Sequence, residues 1–168
     1  MNKGEEMVVT IDFSIQLPNV NHRFGYGENT VNLSGFYPVL CVYENGKYYE
    51  NKYYRSGDPF YSNVADYKVN LTVPSRYAVA SSMTATSTNF SGENTTYHYE
   101  RNSVRDIAFV LSTKFNVTAK TVNGIKVFYY YFNDKTPENS LDVLKKIKDD
   151  GIISTDNKII TIQRKMKR

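Results

Sequence analysis

The sequence predicts a mainly β protein, an antiparallel β-sandwich or saddle-like sheet with one helix toward the C-terminus, and three observations predict it. Short apolar segments alternate with polar residues at a period of two. Asn-Gly pairs, which suit tight hairpin turns because both central residues want φ > 0, separate two pairs of these segments. Helical spacing occurs once, after Thr136. With 168 residues, 40% hydrophobic and 23% charged, the chain is long enough for a substantial core.

In chain order, Val9, Ile11, Phe13, Ile15 and Leu17 alternate with polar residues and predict a first strand, ended by Pro18. Residues 19–33 read as a Gly- and Asn-rich connection around Arg23-Phe24-Gly25-Tyr26-Gly27. Residues 36–43 and 47–51 form the arms of a hairpin turning at Asn45-Gly46. Tyr67, Val69, Leu71 and Val73 line one face of a strand over 66–73 that Pro74 stops. Segments 77–82, 97–102, 107–112, 116–122 and 125–132 complete a set of nine strands, the last two joined at Asn123-Gly124.

Thr136-Pro137-Glu138 supplies an N-cap, a first-turn proline and an acidic residue at the positive end of a helix dipole. Leu141, Leu144 and Ile147 follow at helical spacing, and Gly151 reads as the stop. Ile152-Ile153 and Ile159–Ile162 are open between a short hairpin and an unpacked end. Residues 1–135 are thus expected to be a β-domain, with 136–168 a helix and a basic end.

Charge is unevenly placed. Five basic and no acidic residues lie in 158–168, leaving 16 basic against 17 acidic side chains in 1–157, so the net charge of +4 describes a tail. A solvated terminus is the expectation, with neither a nucleic-acid face nor a membrane contact indicated. The polar, acidic start Met1-Asn2-Lys3-Gly4-Glu5-Glu6 carries no apolar stretch of the kind a secretory leader needs.

One cysteine and two histidines exclude a disulfide framework and a cysteine-built zinc site, and neither His22 nor His98 has a partner at ligand spacing. No metal or cofactor site is expected from this chain, and no catalytic residue is assigned. Cys41, between Leu40 and Val42, is expected to be an inert core thiol. His98-Tyr99-Glu100 matches half of a deaminase signature whose Cys-x-x-Cys half cannot exist here. Gly25-Tyr26-Gly27 lacks the third glycine of a dinucleotide fingerprint. Five Asn-x-Ser/Thr sequons, at Asn32, Asn70, Asn89, Asn94 and Asn116, reflect loops rich in Asn, Ser and Thr.

The 15 tyrosines offer a candidate binding surface. Tyr48, Tyr49, Tyr53, Tyr54, Tyr129, Tyr130 and Tyr131 come in runs, and consecutive residues of a strand point to opposite faces. One face must lie outside the core or beneath another domain. Sheet propensity accounts for part of the enrichment, and a covered interface or a sugar-binding platform is the functional alternative.

The order of motifs adds a resemblance. Pro18-Asn19 leading to Arg23-Phe24-Gly25-Tyr26, then Phe36-Tyr37-Pro38, then Gly57-Asp58-Pro59-Phe60, then Asp66-Tyr67-Lys68-Val69 with Val73-Pro74-x-x-Tyr77-x-Val79-Ala80, and finally Val104 to Ser112, resembles the N-terminal β-domain of the aminopeptidase N-like zinc peptidases. It spans about residues 11 to 132. The resemblance implies a saddle-like β-domain packed against a zinc-bearing catalytic domain, whose Gly-x-Met-Glu-Asn and His-Glu-x-x-His motifs this chain does not carry. It implies a piece equivalent to the second half of that domain, reaching the start of the catalytic one. The implied partners are a parent peptidase's catalytic domain, with a peptide substrate in the parent, or self-association through open strand edges. An extracellular or cell-surface location is implied too. One departure is specific: family members run from the helix to Gly-x-Tyr-Pro, whereas Gly151 is followed by Ile152-Ile153-Ser154-Thr155, as a disrupted reading frame would give.

Overall fold

The computed structural model describes residues 4–50, 61–122, 125–142, 151–155 and 158–164. The protein is mainly β, and its paired strands are all antiparallel. Two open sheets stack over the main core. The first has strand order β1-β2-β9-β6, from β1 (Phe24–Tyr26), β2 (Val31–Ser34), β9 (Ala108–Ser112) and β6 (Ala78–Ser81). The second has order β5-β8-β7, from β5 (Ala65–Pro74), β8 (Asn94–Val104) and β7 (Ala85–Ser91).

Between these sheets lie Val73, Met83, Tyr99, Ile107, Phe109 and Leu111, all buried. The period of two does the sorting. In β5, Tyr67, Val69, Leu71 and Val73 turn to the core while Lys68, Asn70 and Thr72 stay in water. The Tyr99 and Phe109 rings, one from each sheet, meet at 5.2 Å with a tilted approach, the geometry aromatic quadrupoles favour.

A third sheet has order β10-β11-β13-β12, from β10 (Asn116–Val122), β11 (Ile125–Tyr131), β13 (Lys158–Arg164) and β12 (Gly151–Thr155). The apolar end residues therefore form a hairpin, and β13 pairs with β11 from Tyr131↔Lys158 to Ile125↔Arg164. The helix α1 (Pro137–Asp142) lies beside β10 and β11, with the Asn139 amide bonded to the Thr136 carbonyl at 3.0 Å. A small hairpin of β3 (Tyr43–Glu44) and β4 (Lys47–Tyr48) turns at Asn45-Gly46. Its φ values of 52° and 80° are those the Asn-Gly pair was expected to adopt. Asn123-Gly124 and residues 143–150 lie outside the described residues, as do Tyr53, Tyr54 and the Gly57-Asp58-Pro59-Phe60 motif.

Several expectations need correction. Residues 9–17 form no strand, because alternation alone cannot make one: the backbone needs a neighbour to bond, and no described residue supplies it. Residues 36–42 are irregular. Phe36 and Tyr37 are adjacent in sequence and both pack on the core, which a two-residue repeat forbids, and Pro38 removes a ladder donor. The supposed connection over 19–33 contains the β1–β2 hairpin. Gly25 sits in β1 with φ +147°, and a Cβ there would stand 2.5 Å from the Val20 carbonyl oxygen and 2.9 Å from that of Pro18. Glycine is thus required where sequence alone reads a loop. β7 was not anticipated at all, being almost wholly Ser, Thr and Asn; it is an exposed edge that returns to β8 through Gly92 and Glu93. Gly151 opens β12, and the residues before it, on which its reading as a helix stop depends, lie outside the described residues. Cys41 is exposed, as are Val39 and Leu40 before it, while Val42 is 2% accessible: the irregular stretch turns only the valine inward.

Candidate functional site

The tyrosine runs separate into two environments. On the β3–β4 hairpin, Tyr43 and Tyr48 are cross-strand partners whose rings lie 4.9 Å apart at 58°, with 59% and 61% of their surface exposed. The turn creates this pair, since a two-residue loop puts Glu44 opposite Lys47 and the next residues opposite each other. The other hairpin face holds Glu44, Lys47 and Tyr49. The Lys47 ammonium lies 5.9 Å from the Tyr49 ring centre, Tyr61 meets Tyr49 edge-on at 5.8 Å, and the Tyr61 hydroxyl donates to Glu44 Oε1 at 2.8 Å. That hydrogen bond, chiefly, holds the Tyr61 phenol in its neutral form and raises its pKa.

The hairpin is anchored at its base. Tyr49 donates its amide to the Val42 carbonyl at 2.8 Å, and the Val42 side chain is buried. The pinned hairpin thus carries two exposed aromatic pairs on opposite faces, Tyr43 with Tyr48 and Tyr49 with the loop residue Tyr61, and the segment leading into it exposes Val39 and Leu40. Such a surface can stack against a sugar ring or pack on an apolar protein patch, and the hydroxyls can donate and accept.

Tyr129, Tyr130 and Tyr131 are placed differently: Tyr129 is buried, against the expectation of an exposed surface, while Tyr130 and Tyr131 are half-buried. Tyr129 is fully buried, stacks on Tyr131 at 5.0 Å and donates its hydroxyl to Asp134 Oδ2 at 2.7 Å. Tyr130 turns the other way, meets Phe115 at 5.5 Å and donates to the Val79 carbonyl of β6 at 3.2 Å. Burial pushes its pKa up to about 12. Both faces of β11 are therefore covered, one near α1, where Thr118 donates to Glu138 at 3.2 Å, and one against β6. An open depression of about 500 Å³ lies beside this strand, lined by Asn116, Tyr131, Phe132, Asn133, Asp134 and Lys135. Two of its polar side chains are engaged within the fold: Asp134 accepts from Tyr129 and from the Thr136 amide, and the Asn116 side-chain amide donates to the Phe132 carbonyl.

A third constellation joins residues far apart in sequence. The Tyr37 hydroxyl lies 2.8 Å from Asp106 Oδ1 and 3.2 Å from the Tyr67 hydroxyl, and the Tyr37 and Tyr67 rings meet edge-on at 5.8 Å. Asp106 Oδ1 also accepts the Ile107 amide at 2.7 Å. Burial first, then the bonds to Tyr67 and Asp106, drive the Tyr37 pKa far upward, so this phenol stays neutral and serves as a clasp.

His98 is held through both ring nitrogens. On the water-facing side of β8 its Nδ1 lies 2.7 Å from Asn70 Oδ1 and its Nε2 lies 3.0 Å from Asn89 Nδ2. Since Asn70 Oδ1 only accepts, Nδ1 carries the proton and Nε2 accepts from the Asn89 amide, which leaves neither nitrogen for a metal. Lys68–Glu100 at 3.2 Å and Thr72–Thr96 at 2.8 Å flank it in the same cross-strand manner. Two sequon asparagines, Asn70 and Asn89, are thus ring clamps. Among the described residues, no group of three or more His, Cys, Asp or Glu side chains is placed to hold a metal ion.

Comparison with known proteins finds no matching family model, curated protein or solved structure.

Proposed function

We propose that the chain works by binding and not by turnover, as the non-catalytic β-domain of an aminopeptidase N-like zinc peptidase, walling a cleft in which a peptide N-terminus is held. One observation carries this reading. Three segments of the motif series, Phe36-Tyr37-Pro38, Asp66-Tyr67-Lys68-Val69 and Val104 to Ser112, converge in the Tyr37–Tyr67–Asp106 clasp, and a fourth, Pro18 to Tyr26, is closed by the Tyr26 amide on the Pro18 carbonyl at 3.0 Å. Motifs that meet in space are what a domain signature should consist of, whereas chance matches would scatter. In such a protein the zinc that activates water and offsets the developing oxyanion charge belongs to the partner domain. The purified chain, assayed on aminoacyl-anilides with and without added Zn²⁺, is expected to leave them intact; metal-dependent turnover would overturn the proposal. The flanking DNA is expected to encode His-Glu-x-x-His, and its absence from every frame would remove the parent peptidase.

A second reading is favoured by the exposed Tyr43, Tyr48, Tyr49 and Tyr61: an independent β-sandwich module whose hairpin holds a carbohydrate or a protein. Binding on a glycan array that Tyr48→Ala abolishes and Tyr130→Phe leaves intact would select it.

A further inference from the structure

Residues 7–17 carry the strongest strand pattern in the chain and belong to no ladder among the described residues. Met7, Val9, Ile11, Phe13 and Ile15 recur at alternate positions with 47–66% of their surface exposed. The core side chains of the sandwich do not include them. A stripe of five large apolar residues left in water, on a backbone that joins no ladder among the described residues, has the character of a strand without a neighbour there.

Among the described residues the fold also leaves a matching open edge. β5 is the longest edge strand, ten residues, with β8 on one side and no described strand on the other. Its core-side residues Tyr67, Val69 and Leu71 are only half-buried, because the sheet ends there. A lysine commonly guards such an edge, and Lys68 stands on this one with 81% of its side chain exposed and its ammonium 3.2 Å from Glu100 of β8, an exposed pair that a second carboxylate can join. Asp12 is the only acidic residue between Met7 and Leu17.

We propose that residues 7–15 of one molecule add to the β5 edge of a second copy as an antiparallel strand with Asp12 opposite Lys68. That register puts Val9, Ile11 and Phe13 opposite Leu71, Val69 and Tyr67 on the core side, and Thr10 opposite Asn70 on the wet side. A slip of one residue would turn the whole apolar stripe to water, and a slip of two would leave Asp12 beside Asn70 without its cation. Backbone bonds supply the adhesion, and the alternate side chains and the Asp12–Lys68 pair supply the register. This inference stands apart from the functional proposal, since it needs neither a peptidase partner nor a hairpin ligand.

The test uses the full chain. Light scattering after gel filtration is expected to give a mass at least twice 19.3 kDa at high concentration. The double variant Ile11→Lys, Phe13→Lys should weaken association by about a hundredfold or more while the circular dichroism stays unchanged. In a Cys41→Ser background, Asp12→Cys mixed with Lys68→Cys should form a mixed disulfide under mild oxidation, while Asp12→Cys mixed with Asn70→Cys should do so far more slowly. A protein monomeric at every concentration, an association the double lysine variant leaves untouched, or cross-linking indifferent to register would each overturn the proposal.

Discussion

Two regions of this molecule carry tyrosines in runs, and their fates are opposite. On the β3–β4 hairpin the rings of Tyr43 and Tyr48 stand in solvent, because its strands are two residues long and pair with no other described sheet. On β11 the run Tyr129-Tyr130-Tyr131 is largely covered, Tyr129 fully and its two neighbours by half, because β10 and β13 pair along both edges while α1 and β6 lie over the two faces. Adjacent tyrosines therefore mean exposure only where a strand has a free face. Where both faces are covered, the same sequence is core.

The largest expected effect comes from breaking the covered run. Tyr129→Ala should cost about 3–5 kcal/mol, since it empties a fully buried ring site and removes the hydroxyl's bond to Asp134 Oδ2. Urea unfolding would read this as a lower midpoint, and a loss below about 1 kcal/mol would mean that the ring is not enclosed.

Alkaline titration sharpens the comparison next. Tyr130 keeps its proton to about pH 12, against an ordinary value of 10.0, because burial disfavours the phenolate. The unfolded chain therefore loses that proton first as the pH rises. Stability is fully present below about pH 10 and is lost progressively toward pH 12, by roughly 2 kcal/mol from Tyr130 alone. Tyr99 and Tyr37, raised further by burial, push in the same direction. Tyr130→Phe should flatten part of this slope, and an unchanged slope would contradict it.

At the hairpin the effects shrink. Gly46→Ala places a side chain at φ +80° with nothing within 4 Å, so only backbone strain is added, worth about 1 kcal/mol locally. Tyr48→Ala should change stability by less than about 0.5 kcal/mol while removing half of the exposed Tyr43–Tyr48 pair. Equal losses for Tyr48→Ala and Tyr129→Ala would erase the distinction between the two regions.

These regions also mark how far the sequence can be read. The alternation in 66–73, the Asn-Gly turn at 45–46 and the strands at 107–112 and 116–122 were legible, since each element's local chemistry agrees with its final place. β1 and β7 were not. Gly25 is demanded by two carbonyl oxygens that only the folded chain brings near, and the polar β7 owes its existence to pairing with β8. Residues 9–17 err in the other direction, with strand chemistry and no described neighbour. For the candidate site, Tyr48 and Tyr49 were visible as part of a run. Tyr43 and Tyr61 join them only through cross-strand pairing and a loop contact that carry no local signal. The Tyr37–Tyr67–Asp106 clasp was invisible as a contact, although all three residues lie within the quoted motifs.

Accessibility of individual tyrosines tests the central claim most directly. Acetylation of the folded protein with N-acetylimidazole, mapped by mass spectrometry over time, should modify Tyr43 and Tyr48 rapidly and leave Tyr129 and Tyr130 unmodified until denaturant is added. Modification of Tyr129 at the rate of Tyr48 in the native protein would contradict the account.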